Sequence, residues 1–286
     1  MRWTRGDRSD IEDMRGSSGG GFGMMPLGIG GVIIVALLSM FTGVNFFSLL
    51  GGGPSSNTPA VGTSGGTTAS PAEERTVDMV DAVARDTQQV WRDLLGERYQ
   101  ETKVVLFRDS LQSACGFAQT ATGPFYCPSD RKVYLDLSFF DELAQRFGAP
   151  GTFAEAYVLA HEIGHHIQNL TGTEARVRQE QRADPSSVNA LSVKLELQAD
   201  CYAGVWGHAA SANGRAAQGK VELDPGDAEQ ALRAAASIGD DRLQRLGSGR
   251  VMPEKFTHGT SEQRVTWFKR GFDSGDPNAC DTFAAR

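Results

Sequence analysis

The charges of this chain are interrupted by one long gap, which limits how the chain can fold. No Lys, Arg, Asp or Glu occurs between Arg15 and Glu73. Within the gap lies an apolar run over residues 26–50, long enough to cross the ~30 Å hydrocarbon core of a bilayer. A cleaved signal peptide is the alternative, but its apolar core is typically ~7–15 residues long and starts nearer the N-terminus. We therefore predict an uncleaved transmembrane helix over residues 26–50.

The basic residues around the apolar run predict its orientation. Four arginines precede the run (Arg2, Arg5, Arg8 and Arg15), whereas none follows it before Arg75. Because basic residues are retained on the cytoplasmic side, residues 1–25 are predicted to form a cytoplasmic tail, with everything after residue 50 outside. Residues 51–72 are rich in Gly, Ser, Thr and Pro, a composition that cannot bury enough apolar surface to fold. They are predicted to be a flexible linker to a domain over residues 73–286.

The overall charge narrows the range of partners. The chain has 28 Lys and Arg against 35 Asp and Glu, which gives a formal net charge of −7. A nucleic-acid-binding protein normally carries an excess of basic residues that neutralise phosphates. We therefore expect no nucleic-acid partner, and we expect a membrane partner through the chain's own transmembrane helix.

All four cysteines lie in the part of the chain that is predicted to be exported. In an oxidising compartment an even number of cysteines indicates disulfides, and four cysteines allow three pairings. Cys115 and Cys127 are close in sequence and form the locally plausible pair, which leaves Cys201 with Cys280. Four reduced, buried thiols are the alternative.

Hydrophobic periodicity predicts a helix-dominated α+β domain. Short β-branched or alternating runs predict strands over residues 103–107 and 132–137, and residues 113–122 resemble a loop. The strand over 132–137 could be the edge strand to which a peptide adds through main-chain hydrogen bonds. Helical spacing of apolar residues predicts helices over residues 76–95, 153–170, 186–210, 227–237 and 261–270.

The predicted helix over residues 153–170 carries an H-E-x-x-H motif. His161 and His165 are four residues apart, so they lie on one face of a helix and can bind a single metal ion. Glu162 can then reach a metal-bound water without being a ligand. Polar residues placed there by chance are the alternative, but the flanking residues are apolar, and burying three ionisable groups without a partner would be costly. Gly164 would allow a second helix to pack closely.

A second pair of carboxylates supplies candidates for the third ligand, because catalytic zinc usually takes three protein ligands and one water. Glu196 and Asp200 are also four apart and share a face of the predicted helix over residues 186–210. We predict that Glu196 is the third ligand and that Asp200 orients a ligand histidine. Asp200 itself, His208 and His258 are the alternatives for the third ligand.

Several short segments, spread along nearly the whole chain, match one known family. They are Met1–Trp3, Arg15–Gly19, Gly123–Asp130, Val133–Asp136, His161–His166, Glu196–Trp206, His258–Arg264, Trp267–Phe268 and Cys280–Phe283. On these segments the chain resembles the YpfJ-type neutral zinc metallopeptidases of bacteria. The Glu196–Asp200 segment, followed by His258, also resembles the membrane-bound gluzincins of the CAAX-processing and heat-shock type.

The resemblance implies a zincin-like metallopeptidase domain that holds one Zn²⁺ per chain and hydrolyses a protein or peptide substrate. Zinc on His161, His165 and Glu196 would lower the pKa of its water toward ~7 and polarise the scissile carbonyl. Glu162 would act as the general base and pass the proton to the leaving amine. His258 is a candidate for stabilising the oxyanion, with a structural histidine as the alternative. The expected location is the bacterial inner membrane, with the domain periplasmic.

Two further residues near the motif are interpreted from their positions. Tyr157, one turn before His161, is interpreted as a core residue, and His166 is expected behind the ligands or on the surface. Two other functions are the alternatives: a non-catalytic binding or scaffolding protein that keeps a zincin fold, and a zinc amidase that acts on non-peptide or cell-wall amides. The intact Glu162 disfavours the scaffold, since a non-catalytic relative has no use for an ionisable base there.

Overall fold

The computed structural model describes residues 1–16, 69–119 and 123–284. Helices outnumber strands there, which confirms the predicted helix-dominated α+β class. The helices are α1 (Pro71–Leu95), α2 (Ser138–Gln145), α3 (Thr152–Leu170), α4 (Thr173–Ala183), α5 (Val188–Ala210), α6 (Asp227–Ser237), α7 (Asp240–Ser248) and α8 (Ser261–Ser274). The strands are β1 (Ile11–Asp13), β2 (Lys103–Phe107), β3 (Ser110–Ser113), β4 (Gly116–Gln119), β5 (Phe125–Cys127) and β6 (Lys132–Asp136).

The predicted long helices are all present, and their ends show what the periodicity missed. Helix α1 begins at Pro71 because the Ser70 hydroxyl accepts the Glu73 backbone N–H at 3.1 Å, and a proline is well placed in the first turn. Two residues of the predicted linker are therefore helical, and residues 51–68 lie outside the described residues. Helices α2, α4 and α7 were not predicted.

The main sheet has four strands in the order β1-β2-β6-β5. Strands β1, β2 and β6 are parallel, and β5 is antiparallel to β6. The prediction of an edge strand over residues 132–137 was wrong, because β6 is paired on both sides. The tight turn over residues 128–131, in which the Asp130 carboxylate accepts the Lys132 N–H at 3.2 Å, folds β5 back along β6. Strand β5 therefore forms this edge of the sheet.

Residues 113–122, predicted as a loop, contain strand β4, which pairs with β3 in an antiparallel hairpin. The Ser113 hydroxyl closes the turn by donating to the Gly116 carbonyl at 2.7 Å. Both predicted disulfides are confirmed: Cys115–Cys127 ties this hairpin to β5, and Cys201–Cys280 ties α5 to the C-terminal segment.

Residues 1–16, which we call the N-terminal arm, lie on the domain. Strand β1 pairs with β2, and Arg2 forms an isolated bridge with Glu222. The prediction separated a tail over residues 1–25 from a domain beginning at residue 73, whereas the structure places residues 1–16 against the domain, with Ile11–Asp13 in its sheet. The predicted transmembrane helix over residues 26–50 lies outside the described residues. Among the helices that are described, none has the length and apolar character needed to cross a membrane.

Helices α3 and α5 pack against each other and position the candidate site. At Gly164 of α3, an added Cβ would lie 3.0 Å from the carbonyl oxygen of Ala199 on α5. Glycine therefore permits the close approach that the sequence suggested. This contact lies within the turn that separates Glu196 from Asp200, so it brings both carboxylates to the histidines of α3.

Candidate metal centre

Three side chains from α3 and α5 converge at one point. His161 and His165 lie one turn apart on α3, with ring centroids 4.9 Å apart and rings perpendicular. Glu196 of α5 faces both: its two oxygens lie 3.2 Å from His161 Nε2 and 3.5 Å from His165 Nε2. One nitrogen from each ring and one carboxylate oxygen all lie within 4.8 Å of one another. The structure thus brings together the three predicted ligands.

The opposite nitrogen of each imidazole is held by an acceptor. His161 Nδ1 lies 2.9 Å from Asp200 Oδ1, and His165 Nδ1 lies 2.9 Å from Gln168 Oε1. When Nδ1–H donates to these oxygens, the Nε2 lone pair of each ring points toward Glu196. Two imidazole nitrogens and one carboxylate are a donor set that zinc binds, so these residues fit the ion that the motif implies.

Asp200 sits behind His161 in a buried hydrogen-bond network. Arg264 of α8 donates to both of its oxygens, from Nε at 2.8 Å and from Nη2 at 2.9 Å. The Tyr157 hydroxyl also donates to Asp200 Oδ1, at 2.5 Å. Burial would raise the pKa of Asp200, but the charges of Arg264 and His161 outweigh burial and lower it. Asp200 therefore stays ionised where it contacts His161.

Sequence reasoning missed two members of this network. Tyr157 is fully buried, as a core residue should be, yet its hydroxyl belongs to the site. Arg264 was given no role beyond closing the segment His258–Arg264. The sequence does indicate that Arg264 is buried, because it shares the apolar face of α8 with Trp267 and Phe268, three and four residues later. An arginine on a buried face needs a carboxylate partner.

The electrostatics of the metal-free site favour a proton on His161. Burial alone would lower the pKa of His161, but the carboxylates of Asp200 and Glu196 raise it to about 10. For Glu196, burial opposes ionisation, but His165, His258 and His161 together hold its pKa well below the ordinary value. The site is thus arranged to hold positive charge between two carboxylates.

Glu162 lies beside the convergence point without joining it. Its side chain is buried, and burial raises its pKa, while the charges of His161 and His165 oppose the rise. A backbone hydrogen bond from Tyr126 of β5 also reaches this carboxylate. Glu162 therefore sits between the histidines of α3 and the edge strand β5.

The alternatives for the third ligand occupy other positions. His208 lies in the last turn of α5, where its Nδ1 is 2.7 Å from the carbonyl oxygen of Phe272 on α8. The His258 side chain is 49% exposed, and its Nδ1 lies 3.2 Å from Asp240 Oδ1. Desolvation would lower the pKa of His258, but the charges of Glu196 and Asp240 raise it. The charge of Glu196 therefore acts on His258, although His258 does not belong to the cluster of His161, His165 and Glu196.

His166 was expected behind the ligands or on the surface, and the structure shows it fully buried away from the convergence point. Its Nδ1 lies 2.9 Å from the Tyr126 hydroxyl, and its Nε2 lies 2.6 Å from the Gln100 carbonyl oxygen. His166 therefore fastens α3 to β5, the strand whose backbone reaches Glu162.

Comparison with known proteins places this geometry in a family. The sequence profile of the family described as "Putative neutral zinc metallopeptidase" matches residues 1–283. The Escherichia coli K12 protein "Uncharacterized protein YpfJ" is 46% identical over 296 aligned positions, which cover 99% of each chain. The Mycobacterium tuberculosis protein "Uncharacterized protein Rv2575" is 45% identical over 210 positions, covering 72% of this chain and 70% of its own. No solved structure matches. The chain therefore belongs to the neutral zinc metallopeptidase family that was suggested by its motifs.

Proposed function

We propose that the protein is a membrane-attached zinc metallopeptidase that hydrolyses peptide bonds, with one zinc ion per chain held by His161, His165 and Glu196. The observation that carries the proposal is the anchoring of both imidazoles. Asp200 contacts Nδ1 of His161 and Gln168 contacts Nδ1 of His165. The Nε2 atoms of both histidines therefore face the Glu196 carboxylate. A zinc ion held by these three residues would act as a Lewis acid that lowers the pKa of a water molecule and polarises a carbonyl.

Glu162 is proposed as the general base. Catalysis at neutral pH favours a base whose pKa is moved toward the working pH, and burial raises the pKa of Glu162 in that direction. Glu162 takes the proton from the attacking water and delivers it to the leaving nitrogen. The backbone contact with Tyr126 orients the carboxylate while it carries the proton.

His258 is proposed to stabilise the oxyanion of the tetrahedral intermediate. Three successive backbone N–H groups, of Thr257, His258 and Gly259, donate to Asp240 Oδ2 at 2.7, 2.6 and 3.0 Å, and this fixes the loop. The raised pKa of His258 favours the imidazolium form. A histidine with a raised pKa carries positive charge over a wider pH range, and positive charge near the site would stabilise developing negative charge.

Strand β5 is proposed to align the substrate. In the described part of the chain β5 pairs only with β6, so its other edge has no strand partner there. The backbone of Tyr126 reaches Glu162, which places this edge beside the proposed base. A peptide added to the edge by main-chain hydrogen bonds would pass in front of the ligands.

The proposed location is the bacterial cell membrane, with the domain on its extracytoplasmic side. The apolar run over residues 26–50 supports attachment. The two disulfides support an oxidising compartment, because such bonds are rare in the cytosol.

The test is a proteomic comparison of envelope proteins from cells that carry the wild-type chain or Glu162→Gln. This substitution keeps the shape of the side chain and all three zinc ligands. We expect new N-termini in envelope proteins of the wild type that are absent in Glu162→Gln. Identical sets of N-termini in the two strains would favour a non-catalytic scaffold instead.

A further inference from the structure

The N-terminal arm is part of the sheet through regular backbone hydrogen bonds. Strand β1 pairs in parallel with β2, with Ile11 opposite Val104 and Asp13 opposite Leu106. The Val104 N–H donates to the Asp10 carbonyl at 2.9 Å, and the Met14 N–H donates to the Leu106 carbonyl at 2.8 Å. The arm therefore covers an edge of β2 that would otherwise expose unpaired backbone groups.

The arginines of the arm contact acidic residues of the domain. Arg8 lies 2.7 Å from a Glu74 oxygen and 2.6 Å from an Asp78 oxygen. Arg15 contacts Glu73 and Glu74, both at 2.8 Å, and its side chain is only 7% exposed. Arg8 and Arg15 are two of the four arginines whose asymmetry predicted a cytoplasmic tail. Their pairing with α1 gives these two arginines a structural role in the domain.

The packing of the arm on α1 is close. A Cβ added at Gly6 would lie 1.7 Å from an Arg85 guanidinium nitrogen and 2.2 Å from an Asp81 carboxylate oxygen. The Arg85 side chain also donates to the Thr4 carbonyl at 3.1 Å. Trp3 and Ile11 pack against the main hydrophobic core. Backbone pairing, charge and packing thus all fit the arm to this domain.

The two ends of the uncharged gap meet at one place. Arg15, at the end of the arm, contacts Glu73, in the first turn of α1, at 2.8 Å. A chain that crosses a membrane once leaves its ends on opposite sides of ~30 Å of hydrocarbon. A single crossing between residues 16 and 69 therefore excludes the contacts of the docked arm.

We infer that the N-terminal arm and the catalytic domain lie on the same side of the membrane. This inference keeps the membrane attachment proposed above and replaces a cytoplasmic N-terminus with one that shares the domain's compartment. It does not depend on peptidase activity.

The first test is cysteine labelling of the full chain in intact cells with a permeabilised outer membrane. Thr4→Cys reports on the arm, and Ala183→Cys, at the exposed end of α4, reports on the domain. The wild-type chain is the control, because all its cysteines are in disulfides and should not react. We expect a membrane-impermeant maleimide to label both variants without detergent.

The outcomes separate this inference from the proposed location. If both positions react only after detergent, arm and domain still share a side, but the extracytoplasmic location is wrong. If Ala183→Cys reacts in intact cells and Thr4→Cys only after detergent, the inference is overturned.

A second measurement tests docking itself. The Lys132 ammonium lies 2.7 Å from a Glu12 oxygen, so a carbodiimide should join the two side chains with loss of water. We expect mass spectrometry of carbodiimide-treated native membranes to find this cross-link within single chains, and to find none in Glu12→Gln. Absence of the cross-link in the wild-type chain would overturn the docked arm.

Discussion

The candidate metal centre and the N-terminal arm both contain pairs of basic and acidic side chains, and one pair from each region shows a clear difference in burial. Arg264 and Asp200, which lie behind His161, are 2% and 0% exposed. In the arm, the side chains of Glu12 and Lys132 are 39% and 33% exposed. Removing one partner of a buried pair leaves an uncompensated charge, whereas an exposed pair contributes little. Losing the buried Arg264–Asp200 pair is therefore expected to cost more than losing the exposed Glu12–Lys132 pair.

The largest expected effect is the loss of zinc on removing a ligand. His161→Ala should bind no stoichiometric zinc, because it removes a direct ligand, and His165→Ala should behave in the same way. His208→Ala is the matched control, since this histidine lies on α5 but contacts Phe272 rather than the site. Metal analysis of the purified chains measures the effect. Full zinc content in both variants would mean that His161 and His165 are not zinc ligands.

The next effect concerns the stability of the buried pair. Arg264→Met should lower the free energy of unfolding by about 3–5 kcal/mol, because Asp200 then remains buried without its partner. Lys269→Met, on the same helix, removes an exposed pair with Asp273 and should cost at most about 1 kcal/mol. Denaturant unfolding of the purified full-length chains gives both values. Equal losses in the free energy of unfolding for Arg264→Met and Lys269→Met would mean that burial does not strengthen the Arg264–Asp200 pair.

The two regions also differ in how far the sequence predicts them. Two spacings of four residues, His161 with His165 and Glu196 with Asp200, indicate which side chains share a helix face, and the structure brings His161, His165 and Glu196 together. The docked arm pairs residues far apart, such as Arg2 with Glu222. No local pattern indicates such pairing. The arginines of the arm were instead interpreted as the basic residues that mark the cytoplasmic side of a transmembrane helix. The edge strand was misassigned for the same reason, since strand order depends on contacts between distant segments.

A third effect is the pH dependence of zinc binding. In the metal-free site the carboxylates of Asp200 and Glu196 raise the pKa of His161 to about 10 despite burial. Zinc must displace this proton, so affinity should rise about tenfold per pH unit between pH 7 and 9. The same proton stabilises the metal-free fold fully below pH ~6.5, and this contribution is lost as pH rises through about 10. Competitive zinc titrations at several pH values would show a flat profile if His161 were neutral.

The smallest effect is expected in the arm. A double-mutant cycle of Glu12→Gln and Lys132→Met should give a coupling energy of about 0.2–1 kcal/mol, because both side chains are partly solvated. Thermal unfolding of the four chains at low and high salt measures it, and salt should reduce it. A coupling energy as large as the cost of Arg264→Met would mean that the arm is held by this one pair.

The measurement that tests the central claim most directly is a zinc titration of three carboxylate variants against a competing chelator, with peptide cleavage assayed on the same preparations. Glu196→Gln removes an anionic ligand and should weaken zinc binding most. Asp200→Asn alters only the acceptor behind His161 and should lose about 10–100-fold in zinc affinity or in cleavage activity. Glu162→Gln should keep its zinc and lose cleavage by about 10²–10⁴-fold. If Asp200→Asn lost more metal than Glu196→Gln, the two roles would be exchanged, and if Glu162→Gln cleaved at the normal rate, the proposed catalytic mechanism would be wrong.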